Sequence, residues 1–208
     1  MMLRHKIFLA ILFWTFVTAI YGQDKSDDVV LLKNVCNKII ENQIKEGVQV
    51  IYTNRISSWG WITNIINTQD TFGRQPKPII ILTKKDKASL LEQIKTLKKF
   101  QWQDSLFENS RRIEQDSIWV NIYRENKKRF SAISDATAQR DTTTINKLKH
   151  ERTRIYTFSK PLYIREKSVA LTGFGWMCGG DCGHNEVAFY KKVHGKWKRW
   201  AVISEGDF

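Results

Sequence analysis

Polar and apolar positions follow several distinct rhythms along this chain. From Asp27 to Gly47 the apolar residues Leu32, Val35, Cys36, Ile39 and Ile40 recur at three- and four-residue intervals, which predicts an amphipathic helix that Asp27 or Asp28 can cap and Gly47 can end. Cys36 falls on the apolar face, where a free thiol behaves as a small hydrophobe. VQVIYT alternates as a strand does. Trp59, Trp61, Ile62, Ile65 and Ile66 follow with no assignable period, and Pro76 and Pro78 punctuate the chain. PIIILT is wholly apolar and rich in β-branched residues, the pattern of a buried strand. Thr83 and Asp86 have capping-box spacing ahead of a helix carried by Leu90, Leu91, Ile94 and Leu97. Ile113 to Phe130 predicts a helix or strand with Ile118, Trp119, Ile122 and Tyr123 facing inward. From Ser131 to Arg154 the apolar residues thin out, so residues 131–154 read as a polar helix or a mobile loop.

The last third carries four short β-type runs, FSKPLYI, SVALTGF, EVAFYKKV and KWKRWAVI. His194–Gly195 joins the last two, and a two-residue turn with glycine second is a strong hairpin signal. Strand alternation puts Trp197, Arg199, Ala201 and Ile203 on one face of the fourth run. The expected fold class is α+β: N-terminal helices packed on an antiparallel sheet that ends in a four-stranded β-meander.

The amino terminus changes the setting. Arg4, His5 and Lys6 precede an apolar run from Ile7 to Ile20, 14 residues long. A membrane-spanning helix needs roughly 20 such residues, so the run fits a cleavable secretory signal peptide over residues 1–22. Cleavage after Gly22 leaves Gln23 first; cleavage after Ala19 is the alternative. The rest, residues 23–208, suits one α+β domain without a transmembrane segment, exported to the periplasm or the cell exterior. Loss of Arg4 and Lys6 lowers the formal net charge from +13 by only two. Such a basic product meets anionic envelope components, lipopolysaccharide or acidic glycan, although its lysines are scattered. No motif indicates a specific nucleic acid, and the oligomeric state is not set by the sequence.

Three stretches together, FSKP at Phe158–Pro161, CGGDCG at Cys178–Gly183 and the pair YKK and GKWK at Tyr190–Lys192 and Gly195–Lys198, resemble a group of exported Gram-negative bacterial proteins. LTKKDKASLLEQI resembles theirs as well. The resemblance implies an export-associated α+β domain and supplies no activity. Asp181 and His184 depart from the group, which has small or apolar residues there.

The densest chemistry lies in WMCGGDCGHNE, Trp176–Glu186. In an oxidising compartment Cys178 and Cys182 are by default a disulfide, and two intervening glycines let the chain double back. A metal reading takes Cys178, Cys182 and His184, with His194, Asp181 or Cys36 as fourth ligand, but the spacing is not that of zinc fingers and oxidation removes the thiolates. A cysteine nucleophile activated by His184 or His194 meets the same objection. Asp181 and Glu186 could act as a glycosidase-like carboxylate pair. Asp181, His184 and Glu186, or Trp197, Arg199 and Trp200 in KWKRW, are candidate ligand-binding residues. KWKRW has the composition of a stacking platform, which strand alternation splits over two faces. The chain has no dinucleotide fingerprint, phosphate loop, H-E-x-x-H or G-x-S-x-G, and no cofactor motif. The expectation is a non-enzymatic binding or structural module of the cell envelope. The alternative is a hydrolase-type enzyme or metal-binding protein using the Cys178–Glu186 loop, with a polar group such as His150 or His194 brought in from elsewhere.

Overall fold

In a computed structural model of the chain, the structure describes residues 27–36, 40–53, 59–73, 78–97, 100–150 and 153–207. The expected leader, both cleavage positions, Ile39 and the side chain of His150 lie outside the described residues and atoms. Residues 27–36 and 40–45 are helical and are together labelled α1; the second segment ends as the sequence predicts. The Val48 N–H donates to the Gln43 carbonyl at 2.8 Å and the Gly47 N–H to that of Ile44 at 3.1 Å, the paired bonds of a Schellman stop.

Strand β1 (Val50–Thr53) is buried at all four positions because both its edges and both its faces are covered. It lies parallel to β4 (Ser110–Ile113) on one side and to β5 (Ile155–Phe158) on the other. Beyond β5 the sheet turns antiparallel through β7 (Val169–Gly179), β8 (Cys182–Val193) and β9 (Lys196–Asp207). A short β6 (Leu162–Ile164) pairs β7 beside β5. The sheet therefore has seven strands and is mostly antiparallel, with a parallel region at β4, β1 and β5 that the sequence reading lacked. FSKPLYI is not one strand. It breaks at Ser159–Pro161, where proline has no N–H to give a ladder and Ser159 Oγ instead accepts from the Gly173 N–H at 2.6 Å.

The segment of unassigned period is helix α2 (Gly60–Thr68), which buries Ile62 and Ile66. PIIILT is not a buried strand. Only Ile80–Ile81 is extended, as β3 paired with β2 (Thr71–Phe72), and its residues alternate: Ile80 and Leu82 are buried while Ile81 is 62% exposed. Helix α3 (Lys84–Thr96) opens on the expected capping box, with the Asp86 N–H donating to Thr83 Oγ1 at 3.1 Å and the Thr83 N–H to Asp86 Oδ2 at 3.0 Å. Of the stretch 131–154, residues 131–138 and 142–150 are helical: α4 (Ile118–Ala138) runs into it, and α5 (Thr142–His150) packs back on α4. Within α4, Ile118 and Ile122 point inward as expected but Trp119 and Tyr123 do not, being 58% and 71% exposed.

Helices cover both faces of the sheet. On one face α1 packs Leu32, Cys36 and Ile40 against Val50, Tyr52, Tyr156 and Phe158, and Leu31 and Val35 against Ala188, Tyr190 and Trp197. On the other, α2, α3 and the β2–β3 ribbon cover Leu162, Leu171 and Phe189, while α4 covers Ile51, Ile113 and Ile155. Among the described residues no helix is long and apolar enough to cross a membrane.

Candidate functional site

The β7–β8 hairpin carries most of the residues singled out by the sequence. At its tip Cys178 and Cys182 form a disulfide with Cα atoms 5.3 Å apart, beside a register shift between Met177 and Gly179. Sulfurs bonded to each other are not thiolates, so the set Cys178, Cys182 and His184 has lost two donors, and the cysteine nucleophile is lost with them. Asp181 is exposed at the tip.

Down the hairpin, on the face toward α1, the polar groups satisfy one another. His184 Nδ1 lies 2.7 Å from Asp207 Oδ1, and its ring packs on Phe174 and Trp176. Glu186 is 5% exposed, with both carboxylate oxygens taken. Oε1 accepts from the Tyr190 hydroxyl at 2.5 Å, and Oε2 lies 2.7 Å from Arg199 Nη2, which also meets Glu205 Oε2 at 2.7 Å. Burial pushes the Tyr190 hydroxyl far above its ordinary titration range, and the Glu186 charge adds to this. Burial disfavours the Arg199 cation, but the hydrogen bond to Glu205 and the Glu186 charge outweigh it and hold the guanidinium above its usual value. Ligand atoms of His184, Glu186 and Glu205 lie within 4.8 Å of one another, a spacing a metal ion could use. The Arg199 guanidinium already bridges both carboxylates in the role an added cation would have. Cys36 lies under this network, its thiol pushed well up by burial and then by the Glu186 charge.

KWKRW does not form one platform. Trp197 packs in the α1-side core with Lys192 Nζ 5.4 Å from its ring centre. Trp200 packs against the opposite core and meets Lys191 at 5.2 Å and the Arg165 guanidinium at 5.9 Å. The face assignment for β9 changes along the strand for the same reason. Phe189 pairs with Ala201 and Tyr190 with Arg199, which leaves Trp200 as an extra residue. This bulge puts Trp197 and Arg199 on the α1 face but Ala201 and Ile203 on the other.

The open concavity on the hairpin lies on the opposite face, and sequence reasoning did not find it. A cleft of about 760 Å³ runs between α2 and α4 over the sheet. Trp61, 43% exposed, and Trp119 line it from the two helices. Beneath them Gly173 and Gly175 present bare backbone. A Cβ on Gly173 would sit 3.1 Å from the Glu186 carbonyl oxygen, and one on Gly175 would sit 2.9 Å from that of His184. Uncharged polar residues, Thr157, Asn185 and Ser204 among them, surround this floor, with Asp116 as the acid. The readable signal is G-F-G: two glycines at alternate strand positions strip side chains from one face of β7. His184 and Glu186 border the cleft, but their side chains are engaged on the far face.

No family model, curated protein or solved structure matches this chain. The functional reading therefore rests on the cleft.

Proposed function

We propose that this protein is an exported, non-enzymatic binding module of the cell envelope, in the periplasm or outside the cell, and that the cleft between Trp61 and Trp119 is its ligand site. One observation carries the binding part: two partly exposed indoles from different helices stand over a floor cleared by Gly173 and Gly175. Ligand sites are typically concave and apolar-walled, with a few polar groups to fix orientation. Aromatic walls accept the flat face of a ring, while amide and hydroxyl groups around the floor suit its polar edge. A neutral, hydroxyl-rich ring such as a pyranose unit of an envelope glycan fits this lining better than a strongly charged group does.

The engagement of His184 with Asp207, and of Glu186 with Tyr190 and Arg199, favours binding over hydrolysis, because both are committed away from the cleft. Export is supported by the charged and apolar leader pattern and by the Cys178–Cys182 disulfide, which persists in an oxidising compartment. A glycan array followed by titration of indole fluorescence tests the reading. Binding should weaken at least tenfold in Trp61→Ala and in Trp119→Ala, two rim positions whose loss should leave the fold intact. Unchanged affinity in both variants, or turnover of a bound oligosaccharide, would overturn the proposal.

A further inference from the structure

Helix α4 has an exposed stripe that the core does not use and of which only Trp119 also borders the cleft. At 100° per residue Trp119, Tyr123 and Phe130 fall within about 40° of one another, so they form one stripe roughly 16 Å long. They are 58%, 71% and 61% exposed, and Val120, 56% exposed, adjoins them. Single exposed apolar residues are ordinary, but a contiguous set of large ones marks a surface that meets something else. Among the described residues, the exposed large aromatics are Trp61 and these three, which concentrates three of the four on one helix. The helix cannot roll to hide them, because Ile118 and Ile122 on its inner side are fixed against Ile51, Ile113 and Ile155.

The flanks of the stripe are basic. Lys127 and, further round, Arg124 are exposed on its flank, and the Arg129 guanidinium lies 5.1 Å from the centre of the Phe130 ring. Glu125 is turned inward, within 3.9 Å of Arg111 and 3.1 Å of Lys128, which leaves Asp135 as the exposed acid toward the far end of α4. We infer that α4 is an interfacial helix that seats this protein on an anionic phospholipid bilayer. Trp, Tyr and Phe are residues of the membrane–water boundary, and lysine stems beside them can lay their methylenes on lipid while the charge meets headgroup phosphate. A helix with aromatics on one stripe and cations along its flank matches that surface in both hydrophobicity and sign, and the net charge of +13 favours the same encounter. An apolar protein groove would complement the stripe but leave the cations beside it without a counterpart.

The test is vesicle flotation of the full chain, with phosphatidylglycerol–phosphatidylcholine vesicles compared with phosphatidylcholine alone. Binding should require the anionic lipid and should weaken severalfold between 50 and 300 mM salt. Tyr123→Ser/Phe130→Ser and, separately, Arg124→Glu/Lys127→Glu should each reduce it at least tenfold, with thermal unfolding unchanged. Trp119 stays in place in both variants, so glycan binding in the cleft reports on the other proposal independently. Retained flotation in the aromatic double variant, through Ile7–Ile20 or any other route, would overturn the inference. An equal loss in Lys84→Glu/Lys85→Glu, on a different helix, would reduce it to generic charge and overturn it too. So would concentration-dependent dimers that Tyr123→Ser/Phe130→Ser abolishes, because the stripe would then be covered by a second copy.

Discussion

Replacing Glu186 with alanine separates a structural polar network from a site held ready for a ligand. The carboxylate accepts from the Tyr190 hydroxyl at 2.5 Å and pairs with Arg199 at 2.7 Å, inside a surface where Glu186 is 5% and Tyr190 4% exposed. A hydrogen bond to a charged group contributes about 1.5–3 kcal/mol, and a buried hydroxyl left without an acceptor costs about 1–3 kcal/mol. Arg199 is not stranded, since it keeps Glu205 and its side chain is 38% exposed, so the penalty for an unpaired buried cation does not apply. The expected destabilisation is therefore about 3 kcal/mol for Glu186→Ala and about half that for Glu186→Gln, which keeps an acceptor and most of the volume. Urea unfolding followed by circular dichroism at pH 7 measures both. A cycle with Tyr190→Phe should show coupling of about 1 kcal/mol or more, because the two side chains share one hydrogen bond. A loss below about 1 kcal/mol, or a gain in stability, would refute the structural assignment. A gain in particular is the behaviour of a strained functional group.

Asp86 gives a pH test whose sign follows from its partners. Burial raises its carboxyl pKa, but hydrogen bonds from Arg165 and Thr83 outweigh this and hold it below the ordinary aspartate value. Its contribution is thus full above about pH 4, the unfolded range, and is lost as pH falls through the lower folded value. Asp86→Asn should narrow the stability difference between pH 6 and pH 2.5 in urea melts at both, and an unchanged difference would refute the assignment. The cysteines give a counting test. With three in the chain, native protein should show no titratable thiol, denatured protein one, and denatured, reduced protein three. Reducing the five-residue loop should lower stability by about 2 kcal/mol on a chain-entropy basis. A thiol reactive in the native state would show that Cys36 is accessible or that the bridge is open.

Local signals were legible wherever the backbone itself demanded a residue type. The hairpin at His194–Gly195 forms with φ of 50° and 75°, as a two-residue turn ending in glycine requires. Thr83 and Asp86 cap α3 because their reciprocal bonds involve only neighbours in sequence. Longer-range arrangements were not legible. VQVIYT reads the same whether a strand is parallel or antiparallel, and its two parallel neighbours lie far along the chain. Trp119 and Tyr123 fall among inward-facing isoleucines on α4, and periodicity alone could not tell which side of an aromatic-rich helix faces out. In β9 strict alternation failed because a bulge has no sequence signature as plain as a turn has. The cleft was not legible for a related reason: the polar hairpin residues close on themselves on one face, whereas the open face is marked by what Gly173 and Gly175 lack.

The position of β1 bears on how the chain reaches its fold. The β7, β8 and β9 strands pair with sequence neighbours through tight turns and can zip up early. β1 must wait, because Val50 meets Ser110 and Ile51 meets Ile155, partners about 60 and 100 residues later. Until β5 has been synthesised, a strand that is buried at all four positions has no partner on that edge. Contact order of this kind makes the late, parallel half of the sheet the slow step in folding and the one exposed to aggregation. C-terminal truncations that remove β5 should therefore yield insoluble protein even though α1, α2 and α3 are all present.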